Sequence, residues 1–124
     1  MKISTRTLYG TRAVCELARG GLSLKEISKR QNIPLKYLAK IMSSLKAAGI
    51  VKALRGAAGG FVLARTPGEI ALWDIFNYFE GSIAPKKCDS AWKGLENNMR
   101  EYLQKIKISD LIKNNIELKK PALF

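Results

Sequence analysis

The fold is decided by the stretch from Ser23 to Arg65, which reads SLKEISKRQNIPLKYLAKIMSSLKAAGIVKALRGAAGGFVLAR. A helix is predicted to begin after Ser23, because Ser23 and Glu26 have the spacing of a capping box. A turn at residues 31–34 ends this helix. Pro34 disfavours helical geometry at the residue before it and suits the opening turn of a new helix. The stretch therefore predicts two helices joined by a tight turn.

The second of these helices has one apolar side and one polar, basic side. Its apolar residues recur in steps of three and four, so we expect this set to be buried: Leu35, Leu38, Ile41, Met42 and Leu45. The residues that can then point outward from its first turns are Lys36, Tyr37, Ala39, Lys40 and Ser43.

A β-hairpin is predicted directly after Gly49, which ends the second helix. Residues 51–54 and 61–64 have the composition of strands, and they flank a glycine-rich turn at 55–60. These glycines join two strands and do not open a helix, so a flexible hairpin tip is favoured over a phosphate-binding loop. Helix, turn, basic helix and hairpin is the order of a winged helix-turn-helix, which usually reads duplex DNA.

The positive charge is concentrated on the half of the chain that contains this motif. Residues 1–65 hold 13 Lys and Arg against two acidic residues, a net charge of +11, whereas residues 66–124 hold nine against eight, a net charge of +1. Surface lysines often serve solubility alone. Their coincidence with a helix-turn-helix favours a polyanionic partner.

Further helices are predicted on both sides of the motif. The first, at about 5–19, carries Arg6 and Arg12 away from its apolar face, where both would be free to approach a phosphate. Another helix is expected at about 71–80. We assign residues 1–81 to the winged helix-turn-helix domain and residues 82–124 to a loop, a long helix and a tail of the same compact unit. The fold class is mainly α with a small β-wing.

The long helix, from Ser90 to about Lys107, carries an apolar stripe that is larger than one small domain is expected to cover alone. The stripe consists of Trp92, Leu95, Met99, Tyr102, Leu103 and Ile106. Packing against its own domain is one interpretation. Pairing with the same helix of a second copy is the interpretation we favour, which predicts a homodimer.

Several functional classes lack support in the sequence. The chain has no histidine, the commonest general base, and no G-x-x-x-x-G-K-[ST] loop. It also lacks an apolar run long enough to span a membrane and an apolar signal-peptide core at its start. We therefore expect a cytoplasmic protein that is not an enzyme. Of the two cysteines, Cys15 is expected in the core. Cys88 lies beside Lys86 and Lys87, which favour a reactive thiolate, but the sequence slightly favours the alternative that Cys88 has no functional role.

The predicted DNA contacts divide between helix and hairpin. Lys36 and Lys40 suit guanine or phosphate, and Ala39 suits a thymine methyl group. Tyr37 suits a phosphate contact or packing. Arg55 and Gly56 lie at the hairpin tip, where an arginine can enter a narrow, A·T-rich minor groove.

Together these segments resemble the Rrf2 family of bacterial winged-helix regulators. The resemblance covers residue 1 to about 112 and rests on MKISTRxxYG from Met1, SLKEIS from Ser23, LKYL from Leu35, LxxAGIV from Leu45, RGxxGG from Arg55 and ISDL from Ile108. It implies a homodimeric transcription factor that binds a palindrome through helix and wing. In that comparison Arg55 is the minor-groove residue and the helix from Ser90 is the dimer interface.

The chain departs from the family pattern at two places. Cluster-binding members carry three cysteines before the dimer helix, and only Cys88 matches here, so we expect no iron–sulfur cluster, no metal and no other cofactor. Ala39 stands where discriminating members have glutamate, and Pro34 replaces the family's serine. Operator preference therefore cannot be transferred from relatives.

Three functions are considered. The leading one is a dimeric, cluster-free DNA-binding regulator, most simply a repressor, whose signal comes from a partner protein, a small effector or Cys88. A winged-helix protein-interaction module is an alternative, although the basic excess on the recognition face argues against it. A thiol-based redox sensor acting through Cys88 is the other alternative.

Overall fold

The computed structural model describes residues 2–56, 59–84, 87 and 90–113. Six α-helices lie within these ranges: α1 (Thr5–Leu17), α2 (Leu24–Gln31), α3 (Leu35–Ala47), α4 (Leu72–Glu80), α5 (Ser90–Lys105) and α6 (Ile108–Lys113). Two antiparallel strands, β1 (Val51–Ala53) and β2 (Phe61–Leu63), follow α3, and a short 3-10 turn at Pro67–Glu69 precedes α4. The predicted mainly α class with a small β-wing is confirmed. None of the helices within the described ranges is long and apolar enough to cross a membrane.

The helix-turn-helix forms as the sequence predicts. The Ser23 hydroxyl accepts a bond from the Glu26 amide at 3.1 Å, and the Glu26 carboxylate accepts one from the Ser23 amide at 3.0 Å. This capping box fixes the start of α2. Asn32 then adopts a left-handed conformation with φ of 54°, which reverses the chain before Pro34 and α3.

The core lies where α1, α2, α3 and α4 meet. Leu38, Ile41, Met42 and Leu45 of α3 are each at most 2% exposed. They pack with α1 and α4 residues such as Val14, Leu17 and Ile75. This packing fixes which side of α3 is left to face outward.

The wing is held to the rest of the domain by a third backbone segment. Val51 pairs with Leu63 and Ala53 with Phe61 in the hairpin. The Leu22 amide also donates to the Phe61 carbonyl at 3.1 Å, and the Phe61 amide donates to the Leu22 carbonyl at 2.9 Å. Residue 22 precedes α2, so the base of the wing is fixed relative to the helix-turn-helix.

The described part of residues 82–113 packs back against residues 1–81. Ile108 is fully buried, and its amide donates to the Ile70 carbonyl at 2.9 Å. In α5 the Arg100 guanidinium lies 5.5 Å from the Trp73 ring centroid on α4, a cation–π contact. The helix ends at Lys105, slightly earlier than predicted, and the carbonyl of the next residue, Ile106, accepts a bond from the Leu72 amide at 2.8 Å.

Three sequence predictions about side chains are wrong. Leu35 was expected in the core but is 40% exposed at the first position of α3. Arg12 was expected at the surface but is only 8% exposed and bonds to the buried Gln31. Ile106 lies after α5, so it is not part of that helix's stripe.

Candidate nucleic-acid interface

The exposed side of α3 is polar and basic. Because Leu38, Ile41, Met42 and Leu45 are buried, the opposite side presents Lys36, Lys40 and Ser43 at successive turns, with Ala39 beside them. All four of these predicted contact residues are exposed. A helix with such a face can enter a major groove, where its first turns reach base edges and phosphates.

Tyr37 differs from its neighbours on this helix. It is half-buried, packs against the core and meets the Tyr9 ring edge-on at a centroid distance of 5.8 Å. Of the two roles that the sequence leaves open for Tyr37, this position favours packing. The contact ties the start of α3 to α1.

The wing tip carries the second group of predicted contacts. Arg55 and Gly56 are both exposed and follow shortly after β1, which ends at Ala53. Lys52 on β1 is exposed as well. A cation on a narrow hairpin can reach a minor groove beside the major groove that α3 would occupy.

The N-terminus of α1 is tied to the C-terminal end of α4. The Glu80 carboxylate accepts bonds from the Ser4 amide at 2.9 Å, the Ser4 hydroxyl at 2.7 Å and the Thr7 hydroxyl. Burial raises the pKa of Glu80, but the bonds from Thr7 and Ser4 outweigh it, so that pKa lies below its ordinary value. Arg6 is exposed beside this carboxylate, and its Nη2 lies 3.5 Å from the Phe79 carbonyl oxygen.

Two basic residues that the sequence reasoning missed lie on α2. Lys25 and Lys29 are exposed and border a shallow, open cleft together with Tyr9 and the start of α3. The i, i+4 spacing of these lysines on an otherwise polar helix was the signal that could have found them. They extend the cationic surface from α3 towards α2.

A separate apolar surface lies on α5, and no residue of this helix is buried in the isolated chain. Trp92 is 55% exposed, Leu95 is 45% exposed and Tyr102 is 67% exposed. Met99 and Leu103 are half-buried and border a cleft of about 440 Å³. This cleft lies between α1, α4, α5 and α6. Its apolar lining includes Ile3, Leu8, Leu72 and Phe76. Own-domain packing therefore covers only part of the predicted stripe.

Within the described residues, the ligand atoms do not fit an iron–sulfur cluster. Cys15 is 3% exposed, and burial together with the Glu16 carboxylate raises the pKa of its thiol to about 12, against the opposite effect of Arg12. A protonated, enclosed thiol is a poor cluster ligand. In the described ranges no three Cys, Asp or Glu side chains lie close enough together to hold a metal ion. The predicted sensor, Cys88, lies outside the described residues.

Comparison with known proteins agrees with this geometry. The family model Rrf2, described as an iron-dependent transcriptional regulator, matches residues 3–114. The HTH-type transcriptional regulator CymR of Bacillus subtilis is 36% identical over 123 residues, covering 90% of this chain and 89% of CymR. IscR of Cereibacter sphaeroides, also an HTH-type transcriptional regulator, is 34% identical over 149 residues, covering 100% of this chain and 96% of IscR.

The solved structure of CymR, the global cysteine regulator of B. subtilis, superposes on this chain with a TM-score of 0.80. The identity is 34%, and the match covers 92% of this chain and 98% of that one. Sequence and fold therefore agree over nearly the whole length. The chain belongs to the Rrf2 family of winged-helix transcriptional regulators, and it is a DNA-binding regulator of transcription and not an enzyme.

Proposed function

We propose that the protein is a cytoplasmic repressor that binds a palindromic operator as a homodimer. In each half-site α3 enters the major groove and the tip of the wing enters the adjacent minor groove. The observation that carries the dimer is the exposed apolar face of α5, continuous with the cleft between α1 and α4. Large contiguous apolar patches on soluble proteins mark interaction sites.

A second copy of this chain is the occupant that best suits the α5 face. The same face on two copies can pair about a two-fold axis, since an isologous interface uses one patch twice. Two helix-turn-helix units related by that axis then match the symmetry of a palindrome. Trp92, Leu95 and Tyr102 would be the principal residues buried, with Met99 and Leu103 at the edge of the cleft.

The DNA contacts follow from the exposed residues of α3 and the wing. Lys36, Ala39, Lys40 and Ser43 are proposed to face base edges or phosphates of the major groove. Arg55, with Gly56 beside it, is proposed to enter the minor groove, while Arg6, Lys25 and Lys29 approach the backbone. Tyr37 supports α3 through Tyr9.

We further propose that this regulator acts without an iron–sulfur cluster or another metal cofactor. The chain has no histidine, and its only cysteines are Cys15 and Cys88. Cys15 is enclosed and its thiol pKa is raised to about 12. The signal would then come from a partner protein, a small effector or oxidation of Cys88. Anaerobic purification followed by iron and sulfide analysis tests this, and a stoichiometric cluster in wild type would contradict it.

The dimer is tested by Leu95→Glu, which places a charge in the centre of the apolar face of α5. Sedimentation should give about twice 13.8 kDa for wild type and about 13.8 kDa for the variant, with operator affinity lowered at least tenfold. Asn97→Glu is the matched control, because it adds the same charge at an exposed position pointing away from Leu95. A monomeric wild type at micromolar concentration, or a dimeric Leu95→Glu variant, would refute the proposal.

A further inference from the structure

We propose that Gln31 is a positioning residue for DNA recognition. Its buried side-chain amide fixes the orientation of the helix-turn-helix, residues 24–47, relative to α1. This inference rests on the proposed binding of a palindrome by a dimer, because it concerns how accurately two recognition helices are presented together.

Gln31 joins α2 to two residues of α1 through a buried polar network. Its side chain is fully buried at the last position of α2. The Gln31 Oε1 accepts a bond from Arg12 Nη1 at 3.1 Å, and its Nε2 donates to Glu16 Oε2 at 2.6 Å. The other oxygen of Glu16 lies 3.5 Å from Arg30 Nη1, which brings a second α2 residue into the network.

Such a network restricts geometry more than apolar packing does. Apolar burial is non-directional, so Val14 and Ile27 could stay covered if α2 slid or rotated slightly against α1. The amide of Gln31 has a distinct donor and acceptor, and a shift would leave buried polar atoms without these bonds. The network therefore selects one arrangement of α1 and α2.

Because of its position in the chain, Gln31 links the arrangement of α1 and α2 to the orientation of the recognition helix, α3. The next residue, Asn32, is the left-handed residue of the turn that leads to α3. On the other side, Arg12 borders the cleft beside α5, where we propose that the second copy docks. The network thus lies between the proposed dimer surface and the recognition helix. Two half-sites at fixed spacing require both recognition helices to be held at a defined angle to that surface.

Exchanging the amide of residue 31 with the carboxylate of residue 16 keeps the total charge of the network and tests this geometry directly. In Gln31→Glu alone, two carboxylates face each other where a 2.6 Å hydrogen bond stood. In the double variant Glu16→Gln, Gln31→Glu, the amide introduced at position 16 can donate to the carboxylate introduced at position 31, which also accepts from Arg12. Gln31→Met keeps a similar volume without polar atoms and provides a variant that does not depend on tolerating an added charge. Gln104→Glu, on an exposed position of α5, is the matched control for the change in charge.

Four quantities would be measured at pH 8: Kd for the selected operator, Kd for random duplex at low salt, sedimentation mass and melting temperature. We expect Gln31→Glu and Gln31→Met to weaken operator binding about tenfold or more while remaining dimeric, with random-duplex Kd changed less than about twofold. The double variant should recover operator Kd to within about threefold of wild type. Gln104→Glu should behave as wild type.

A purely structural role would produce a different pattern. It would lower the melting temperature and leave the ratio of operator to random-duplex affinity unchanged in the folded protein. Unchanged operator affinity in Gln31→Met, or a double variant as weak as Gln31→Glu, would overturn the inference. If the proposed function is wrong, the result is different: the wild type itself would then be monomeric, or it would bind no duplex sequence in preference to others.

Discussion

Replacing Gly60 with alanine should detach the base of the wing from the helix-turn-helix. Gly60 has a φ of 128°, which side chains rarely adopt. An added Cβ would lie 2.8 Å from the Leu22 carbonyl oxygen and 3.1 Å from its carbon. The close contact is to backbone, so no rotamer change relieves it. The chain must shift at the point where Leu22 and Phe61 exchange their two hydrogen bonds.

The expected cost follows from these contacts. An unfavourable backbone conformation costs about 1–3 kcal/mol, and each of the two hydrogen bonds at risk contributes about 0.5–1.5 kcal/mol. Gly60→Ala should therefore lower the free energy of unfolding by about 2–6 kcal/mol. For a chain of this size that corresponds to a melting temperature lower by roughly 8–24 °C.

Gly59→Ala is the matched control. Gly59 also has a positive φ, 57°, but an added Cβ there meets nothing within 4 Å. Only the left-handed conformation is penalised, at about 1 kcal/mol. Urea denaturation of the three proteins measures both values, and operator binding at a temperature where all are folded measures the effect on the wing. Equal destabilisation by the two substitutions would refute the backbone-clash argument.

Two further predictions concern the wing tip and the α1–α4 contact. Arg55→Ala should weaken operator binding by about 1–3 kcal/mol, with the largest loss at A·T-rich flanks. Lys36→Ala or Lys40→Ala should instead alter the base preference in the major groove or lower affinity uniformly. If Arg55→Ala binds the operator as wild type does, the wing does not enter the minor groove. Glu80→Gln should destabilise by about 1 kcal/mol at pH 7. Because the pKa of Glu80 is depressed from 4.5, its contribution is present above pH 4.5 and is lost as pH falls through the folded-state pKa. Urea denaturation at pH 7 and pH 3 should thus show the gap between wild type and variant closing in acid, and an equal gap at both would contradict this.

Local signals in the sequence were sufficient to predict the helix-turn-helix and the wing. The capping box at Ser23 and the proline at the start of α3 act within a few residues, and their geometry is the one predicted. The exposure of Lys36, Lys40 and Arg55 could also be predicted, because a helical stripe that buries Leu38 and Met42 leaves the two lysines outside and a hairpin tip leaves the arginine outside. These features depend on interactions between residues close in sequence, and the spacing of apolar and polar residues reveals them.

The features that were missed depend on contacts distant in the sequence. Arg12 was assigned to the surface because it lies away from the apolar face of the first helix, but its partner Gln31 comes 19 positions later in the chain. The contacts of Glu80 with Ser4 and Thr7 span more than 70 positions. Leu35 has the helical spacing of a core residue, yet it is 40% exposed at the first position of α3. A polar residue such as Gln31 also gives no periodic signal of burial.

Charge and shape must make separate contributions to DNA binding by this protein. A net charge of +11 on residues 1–65 favours any duplex, and neutralising about 6–10 phosphates would make affinity fall about 10³–10⁵-fold between 50 and 200 mM salt. Charge of this kind does not distinguish one sequence from another. In the proposed dimer, discrimination would therefore come from a few exposed positions on α3 and the wing, and from the accuracy with which two copies present them. Because Ala39 can offer only an apolar contact, hydrogen-bonded readout from α3 would rest chiefly on Lys36, Lys40 and Ser43 in the proposed complex. A small set of base contacts gains specificity only if their spacing is rigid. For this reason the network around the buried Gln31 should affect operator binding more than random-duplex binding.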